Sequence, residues 1–359
     1  MLSKDSNWVS CGQTCLERSE IRSYMVTLKD IAERVGRSVT TVSRALADCS
    51  DVNKETAERI KEVAAQLGYV PNTLAKRLQK QSTDTIGIVV HPASRGYPEP
   101  FFSEFLAGIG EKATHYGYDL LVTYAQEEHQ MDTYRQLVEG RRVDGFILYR
   151  TLRDDPRANY LHSLNFPFAS FGQVESIDRY SYIDEDGEYA MQLIVNHLVA
   201  MGHTRIGCIC PSLEIMHAYI RYNGLVKSLA AHGLELEAAL VREGYFDQKD
   251  GYEQALVLLN QPTPPTAIVG FNDMIAFGAI NAAKTLGLHV GKEFAVTGFD
   301  NSMMAAYYRP PLTTISQPIF KIGGKLLEML IQSLKDKEHE PSQLLLRPQL
   351  IIRESTQSL

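Results

Sequence analysis

The stretch Val26-Thr-Leu-Lys-Asp-Ile-Ala-Glu-Arg-Val-Gly-Arg-Ser-Val-Thr-Thr-Val-Ser-Arg44 decides how the head of this chain is read. Leu28, Ile31, Ala32 and Val35 recur at the spacing of a helix with one buried face. Thr27 is placed to cap its start and Gly36 to end it. Ser38 then caps a second helix running through Ala47, with Val42 and Leu46 predicted to point inward. Ala32 permits close helix approach, Gly36 four positions later supplies the positive φ of a tight turn, and Val42 locks the second helix from below. Small, glycine and branched residues at these spacings satisfy a helix-turn-helix. A third helix is predicted from about Lys54 to Leu67, with Ile60, Val63, Ala64 and Leu67 on one face and Gly68 as its stop.

The second helix would present Val39, Thr40, Thr41, Ser43 and Arg44 outward. Short hydroxyl and methyl groups near a helix N-terminus suit base edges and thymine methyls in a major groove, and an arginine one turn on suits a guanine edge or a phosphate. The alternative reading of the same residues is an ordinary solvated helix face.

Working outward, residues 1–24 lack any sustained apolar period and are expected to be a disordered extension, with Met25 the natural start. Residues 25–70 form the helix-turn-helix domain and residues 71–83 a hinge helix and linker. Residues 84–359 form a larger domain. Charge follows this division. The chain of 359 residues carries a net charge of -7, yet Val26 to Lys80 holds ten Lys or Arg against seven Asp or Glu, and residues 1–25 are neutral. A basic head on an acidic body is the pattern expected of a nucleic-acid partner at one end only. The five cysteines are scattered and odd in number, which fits a reducing compartment rather than a disulfide framework. Neither an export signal nor an apolar run of membrane-spanning length is evident, so a cytoplasmic address and no membrane partner are expected.

After Thr85 short apolar runs alternate with amphipathic helices. Strands are predicted at 86–90, 120–124, 145–149, 168–171, 206–210, 267–270 and 294–298. Helices are predicted at 102–116, 189–201, 218–232 and 273–286, each followed by glycine. Such alternation implies parallel sheets with helices on both faces. The expected fold is therefore an all-α helix-turn-helix head followed by an α/β sensor of two doubly wound parallel lobes. The first lobe is placed at about 84–183 and 318–340, the second at 184–317 and 341–356. No nucleophile elbow, zinc-protease helix, phosphate loop or dinucleotide turn is present, and the histidines show no ligand spacing, so neither enzymatic activity nor a metal or cofactor is expected. Instead, Asn272, Asp273 and Asp300 follow strands, Arg221 lies early in a helix and Phe246 follows a glycine. Ligands of open parallel sheets bind beyond the carboxyl ends of strands. Fork-shaped donors and acceptors beside an aromatic face suit a sugar. Asp273 itself is expected to cap the helix that follows it.

The run Val26 to Arg44, with Leu67-Gly-Tyr-Val-Pro-Asn72 after it, resembles the DNA-binding head of the lactose/galactose repressor family, and the resemblance extends over about residues 26–355. It implies a homodimeric transcriptional repressor that grips a palindromic operator and answers to a small-molecule effector. By that resemblance Val39 and Thr40 read bases, Arg44 contacts DNA, and Thr27, Ser38, Thr41, Ser43 and Asn72 complete the DNA-facing set. The hinge folds on the operator, Leu78 wedges into the minor groove, and Ala75 one turn earlier lets two hinge helices cross. The effector contacts map to Arg221, Asn272, Asp300 and Phe246, with Tyr149, Arg150 and Phe101 around the same cleft. The stretches Tyr149 to Pro156 and Ala169 to Gly172 look like an α-glucoside-responsive branch, although Phe171-Gly-Gln173 departs from many sugar repressors. A purine or nucleoside effector is the alternative, as is a sugar-binding module with no DNA role. No heptad pattern beyond the sensor points to a tetramerising helix.

Overall fold

The structure, a computed structural model, describes residues 26–69, 82–90, 100–336 and 338–356. The expected N-terminal extension, the expected hinge with Asn72, Ala75 and Leu78, and residues 91–99 lie outside the described residues. The chain separates into two compact units, with the division after Lys80.

The head consists of α1 (Leu28–Val35), α2 (Val39–Leu46) and α3 (Lys54–Gln66). A reciprocal pair of bonds starts α1: the Asp30 amide donates to Thr27 Oγ1 at 3.4 Å and the Thr27 amide to Asp30 Oδ2 at 2.6 Å. This capping box satisfies two donors that a helix start leaves orphaned. Gly36 ends α1 at φ +67, a left-handed conformation that costs other residues energy. Ser38 then caps α2, its Oγ accepting from the Thr41 amide at 3.1 Å. Ile31, Ala32, Val42, Ala45, Ile60 and Ala64 form the buried core. Ala45 takes the central inward place expected of Leu46, which lies half-buried at the edge, because the small residue lets the three helices meet.

The body holds two six-stranded sheets. The first contains β1 (Thr85–Val90), β2 (Asp119–Tyr124), β3 (Gly145–Leu148), β4 (Phe168–Phe171), β5 (Ser181–Glu185) and β11 (Gln343–Leu346), ordered β11-β5-β4-β3-β1-β2 and parallel throughout. The second contains β6 (Ile206–Cys210), β7 (Val241–Glu243), β8 (Ala267–Gly270), β9 (Ala295–Asp300), β10 (Thr313–Ser316) and β12 (Gln349–Ile351), ordered β12-β10-β9-β8-β6-β7 with only β12 antiparallel. Their helices are α4 (Pro100–Tyr116), α5 (Gln130–Glu139), α6 (Pro156–Ser163), α7 (Gly187–Ala200), α8 (Met216–Ala231), α9 (Gln248–Leu259), α10 (Asp273–Thr285), α11 (Met303–Tyr307) and α12 (Ile319–Lys335).

The first lobe therefore extends further along the chain than expected. Gln343–Leu346 pairs with β5, so the 341–346 segment belongs to the first sheet and only β12 returns to the second. The amphipathic α12 packs Ile322, Leu326, Leu327 and Leu330 against the first-sheet core, and the chain leaves it beside β5. The polypeptide crosses between lobes three times, at 185–187, 316–319 and 346–349. Helices α4 and α12 approach so closely that a Cβ at Gly108 would overlap the Phe320 carbonyl oxygen. The linker enters the first lobe on Asp144, whose carboxylate accepts from the Thr83 amide at 2.7 Å, the Asp84 amide at 2.8 Å and both Ser82 and Thr83 hydroxyls. Among the described residues no helix is long and apolar enough to cross a membrane, and no His, Cys, Asp and Glu cluster is arranged to hold a metal.

Candidate functional site

The carboxyl ends of strands from both sheets converge on one pocket between the lobes, of about 480 Å³ counting its mouth. From the first lobe it takes Phe101 of α4, Arg150 beyond β3, Phe171 and Gly172 at the end of β4, and Asp184 and Glu185 at the end of β5. From the second come His217 and Arg221 of α8, Phe246 beyond β7, Phe271 and Asn272 beyond β8, Asp300 at the end of β9, and Gln317 beyond β10. Carboxyl ends of parallel strands on both sides of a cleft are the general location of ligand sites in such sheets.

Arg221 is the fulcrum of the pocket. It is 5% exposed, its Nη1 donates to the Phe271 carbonyl at 2.7 Å, its Nη2 is ion-paired with Glu185 across the cleft, and its guanidinium lies over the Phe299 ring at 3.4 Å. The pair joins the first sheet to α8. Beside it, Asp184 accepts from the Gln173 amide and side chain at 3.2 and 3.1 Å and from the Glu185 amide at 2.9 Å. Burial, and then the neighbouring Glu185 charge, push Asp184 up to about 8, so the carboxyl holds its proton near neutral pH. His217 is driven the other way. Burial, and the charges of Arg221 and Arg150, hold it well below the usual imidazole range and leave it neutral.

Asp300 emerges from β9 at φ +109 and accepts from Gln317 Nε2 at 2.9 Å. Asn272 performs the capping task expected of Asp273: its Oδ1 accepts from the Ile275 amide at 2.7 Å, while its Nδ2 donates to the Phe246 carbonyl at 2.9 Å. Asp273 is the first residue of α10, behind the pocket, where it accepts from the Ser302 amide at 2.7 Å and Thr314 Oγ1 at 2.6 Å. It thus clasps the segment that follows Asp300. Burial pushes it up to about 6.

Of the residues predicted from sequence, Phe101, Arg150, Arg221, Phe246, Asn272 and Asp300 come together around the pocket. Tyr149 does not. Successive strand residues point to opposite faces, and Tyr149 follows Ile147 into the first-lobe core, where its ring packs on Phe102 and Phe105. Arg150 turns the chain back at φ +50 and lays its guanidinium over Phe246 at 4.1 Å, across the cleft. The face of Phe246 is thus already stacked. Arg157 holds this turn from below. It is buried with Asp155, bonded to it through Nε at 3.0 Å, and donates to the Arg150 carbonyl at 3.0 Å. Asp184, Glu185, His217 and Gln317 were not anticipated. The acidic end of Ser181-Tyr-Ile-Asp-Glu185, unusual for a buried strand, was the available signal.

On the head, Val39 (44% exposed), Thr40, Ser43 and Arg44 line the outer face of α2. Arg44 pairs with Asp51 at 2.5 Å. Thr27, Ser38 and Thr41 sit in the caps described above, so their hydroxyls already serve the helix starts.

Residues 27–72 match the family model of bacterial regulatory proteins of the lacI family, and residues 195–356 that of a periplasmic binding protein-like domain. The HTH-type transcriptional repressor PurR of Haemophilus influenzae is 31% identical over 345 residues, covering 93% of this chain and 100% of that protein. The chain belongs to the LacI family of bacterial transcriptional regulators. AglR of Rhizobium meliloti, another such regulator, is 32% identical over 335 residues, covering 92% of this chain and 94% of its own length. Among solved structures, the Lac repressor dimer bound to operator and the anti-inducer ONPF superposes with a TM-score of 0.82 at 30% identity, covering 93% of this chain and 100% of that one. A CelR–cellobiose complex gives 0.72 at 27% identity, covering 92% and 99%. As a LacI-family protein the chain is a DNA-binding repressor under small-molecule control: its head is the family's helix-turn-helix and its two-lobed body the sensor.

Proposed function

We propose that this LacI-family repressor acts as a homodimer on a palindromic operator, in the cytoplasm, and that its pocket takes a hydroxyl-rich effector of the sugar class. The observation that carries the ligand reading is the pocket wall itself. Asp300, Gln317, Arg221 and Glu185 present fork-shaped donors and acceptors from opposite lobes, while Phe101 and Phe171, stacked on each other, add apolar ring surface to the wall. Arg221 Nε and Gln317 Oε1 are buried without a hydrogen-bond partner, one a donor and the other an acceptor. Adjacent sugar hydroxyls supply the complement of both. PurR and AglR stand at almost equal identity, so relatedness alone does not favour a purine over a sugar. An α-glucoside is the first sugar to test, as the Tyr149 to Pro156 stretch suggested.

In this mechanism Val39, Thr40 and Arg44 of each head enter half-sites about one helical turn apart, and the hinge with Leu78 and Ala75 joins them at the centre. Effector closure of the lobes changes the separation of the two hinges, so operator and effector affinities must change each other by the same factor. Arg44→Ala is expected to cost about 1 to 3 kcal/mol in operator affinity and leave effector binding intact. Asp300→Ala is expected to do the reverse, giving a protein that binds operator but no longer responds to its ligand. Fluorescence anisotropy on a selected operator, with calorimetry on a panel of sugars and purines, reads both. Equal damage to both activities by both variants refutes the division of labour, and a purine binding where no sugar does refutes the ligand class.

A further inference from the structure

Beside the pocket the two lobes are also joined through their backbones. Leu152 of the first lobe pairs with Ile215 of the second as an antiparallel bridge. Two hydrogen bonds form the seam: the Arg153 amide donates to the Glu214 carbonyl at 2.9 Å, and the Met216 amide donates to the Thr151 carbonyl at 2.9 Å. Met216 is the first residue of α8, and Ile215 before it has no side-chain acceptor to cap the helix. A carbonyl of the first lobe therefore satisfies an orphaned donor of the second-lobe helix that carries His217 and Arg221. The Arg153 guanidinium closes the same seam, 3.9 Å from the centre of the Tyr219 ring.

Main-chain bonds of this kind ask little of the side chains at 151, 152 and 215, but they demand a particular shape of the turn. Two buried charges hold that shape. Asp155, 0% exposed, accepts from the Leu152 amide at 3.0 Å, and Arg157 donates to the Tyr149 and Arg150 carbonyls at 3.4 and 3.0 Å. The two side chains are joined through Nε at 3.0 Å and Nη2 at 2.6 Å. Together they grip the chain on both sides of Arg150, which is kept at φ +50, a conformation uncommon for a residue with a side chain. Burial works against the charge of Asp155, yet Arg157 and the Leu152 and Ala158 amides hold it below the usual carboxylate range.

We propose that Asp155 and Arg157 are positioning residues for closure of the cleft: their pair keeps the 149–152 turn in the shape that lets Thr151 and Arg153 latch onto the start of α8. Neither residue lines the pocket. A buried ion pair adds little stability over well-packed apolar side chains. This one, however, reaches three backbone groups of the turn, which apolar side chains cannot do. The latch is the same whatever ligand the pocket takes, so the assignment stands apart from the sugar reading.

The test breaks the latch from each lobe in turn, in the full-length chain. Asp155→Asn with Arg157→Met removes both charges together, leaving no lone buried ion, and asparagine keeps the cap of α6. Arg157→Lys keeps a charge beside Asp155 but lacks the fork that also spans the carbonyls. Met216→Pro acts from the other side: proline suits the first position of a helix, Ile215 already has the extended backbone that precedes proline, and the amide that reaches Thr151 is lost. Hydrogen exchange resolved to single amides by mass spectrometry reads Arg153, with the Phe146 amide, which donates to the Pro167 carbonyl inside the first lobe, as control. Each variant is expected to speed Arg153 exchange about threefold to tenfold and leave Phe146 unchanged, and Met216→Pro added to either Arg157 variant should speed it no further. Unchanged Arg153 exchange in the Arg157 variants, equal acceleration at Phe146, or additive effects overturn the assignment. Where the exchange pattern holds but operator affinity, read by anisotropy, does not move, the latch stands and the closure mechanism proposed above falls.

Discussion

Arg44 illustrates how a single surface contact can set the strength of a DNA grip. It lies on the outer face of α2, yet its guanidinium is already engaged by Asp51 at 2.5 Å. Both side chains are about half exposed, so the pair is worth little to stability. To reach a phosphate or a guanine, however, Arg44 must release or share that carboxylate. Asp51→Asn is expected to raise operator affinity by roughly twofold to fivefold, the equivalent of an exposed pair, and to steepen the salt dependence slightly. Anisotropy titrations at two salt concentrations measure this, and unchanged or weaker binding would show that Asp51 positions the arginine rather than competes for it. Residues of this kind were legible from the sequence because their setting is local. Thr27, Ser38 and Gly36 act on neighbours within four positions, and the caps follow from that spacing. Tyr149 packs in the core instead of lining the pocket for the complementary reason: which face of a strand end meets the cleft depends on partners distant in sequence.

At the level of elements, what was visible depended on how continuous the apolar pattern is. Strands β1, β4, β6 and β8 are uninterrupted apolar runs or nearly so, and their fully buried places in the sheets follow. Strands β5, β7, β10, β11 and β12 were not foreseen. Ser181–Glu185 ends in two carboxylates, Thr313–Ser316 is mostly hydroxyl-bearing, and Gln343–Leu346 is largely exposed at a sheet edge. Because Asp184, Glu185 and Gln317 ride on β5 and the end of β10, missing the strands meant missing the acidic side of the site. The helix pair α4 and α12 shows a constraint invisible to periodicity. Gly108 lets α4 sit directly on the Phe320 carbonyl, and Gly108→Ala must push the two helices apart. Thermal or denaturant unfolding is expected to show a loss of about 2 to 4 kcal/mol. A loss below about 0.5 kcal/mol would mean that the helices can slide without cost. The head, whose core contains neither helix, should keep its helical content at temperatures where the variant body has melted.

For the molecule as a whole, the cleft sets a pH dependence of stability. Asp184 has a folded value of about 8 against an ordinary 3.8, so folding favours its protonated form. Its contribution is fully present below about pH 4 and is lost as pH rises towards 8. His217 acts with the opposite sign. Held well below 6.5 in the folded state, it contributes stability above that value that is lost as pH falls. Between pH 6.5 and 8 Asp184 governs the slope. The chain should be less stable at pH 8 than at pH 6.5, and Asp184→Asn should flatten that difference, stabilising the pH 8 form by roughly 1 to 3 kcal/mol. Urea midpoints at the two pH values decide it, and an undiminished decline in the variant would assign the slope to other groups.

The three crossings between lobes carry a consequence for how the protein is made. The first sheet lacks β11 and the cover of α12 until residues 319–346 exist, and the second lacks β12 until residues 349–351 follow. A nascent chain on the ribosome can complete its head early, but it cannot finish the first lobe before residue 346 or the second before residue 351 has been translated. Ribosome-bound intermediates should therefore expose operator-binding helices ahead of any pocket able to control them.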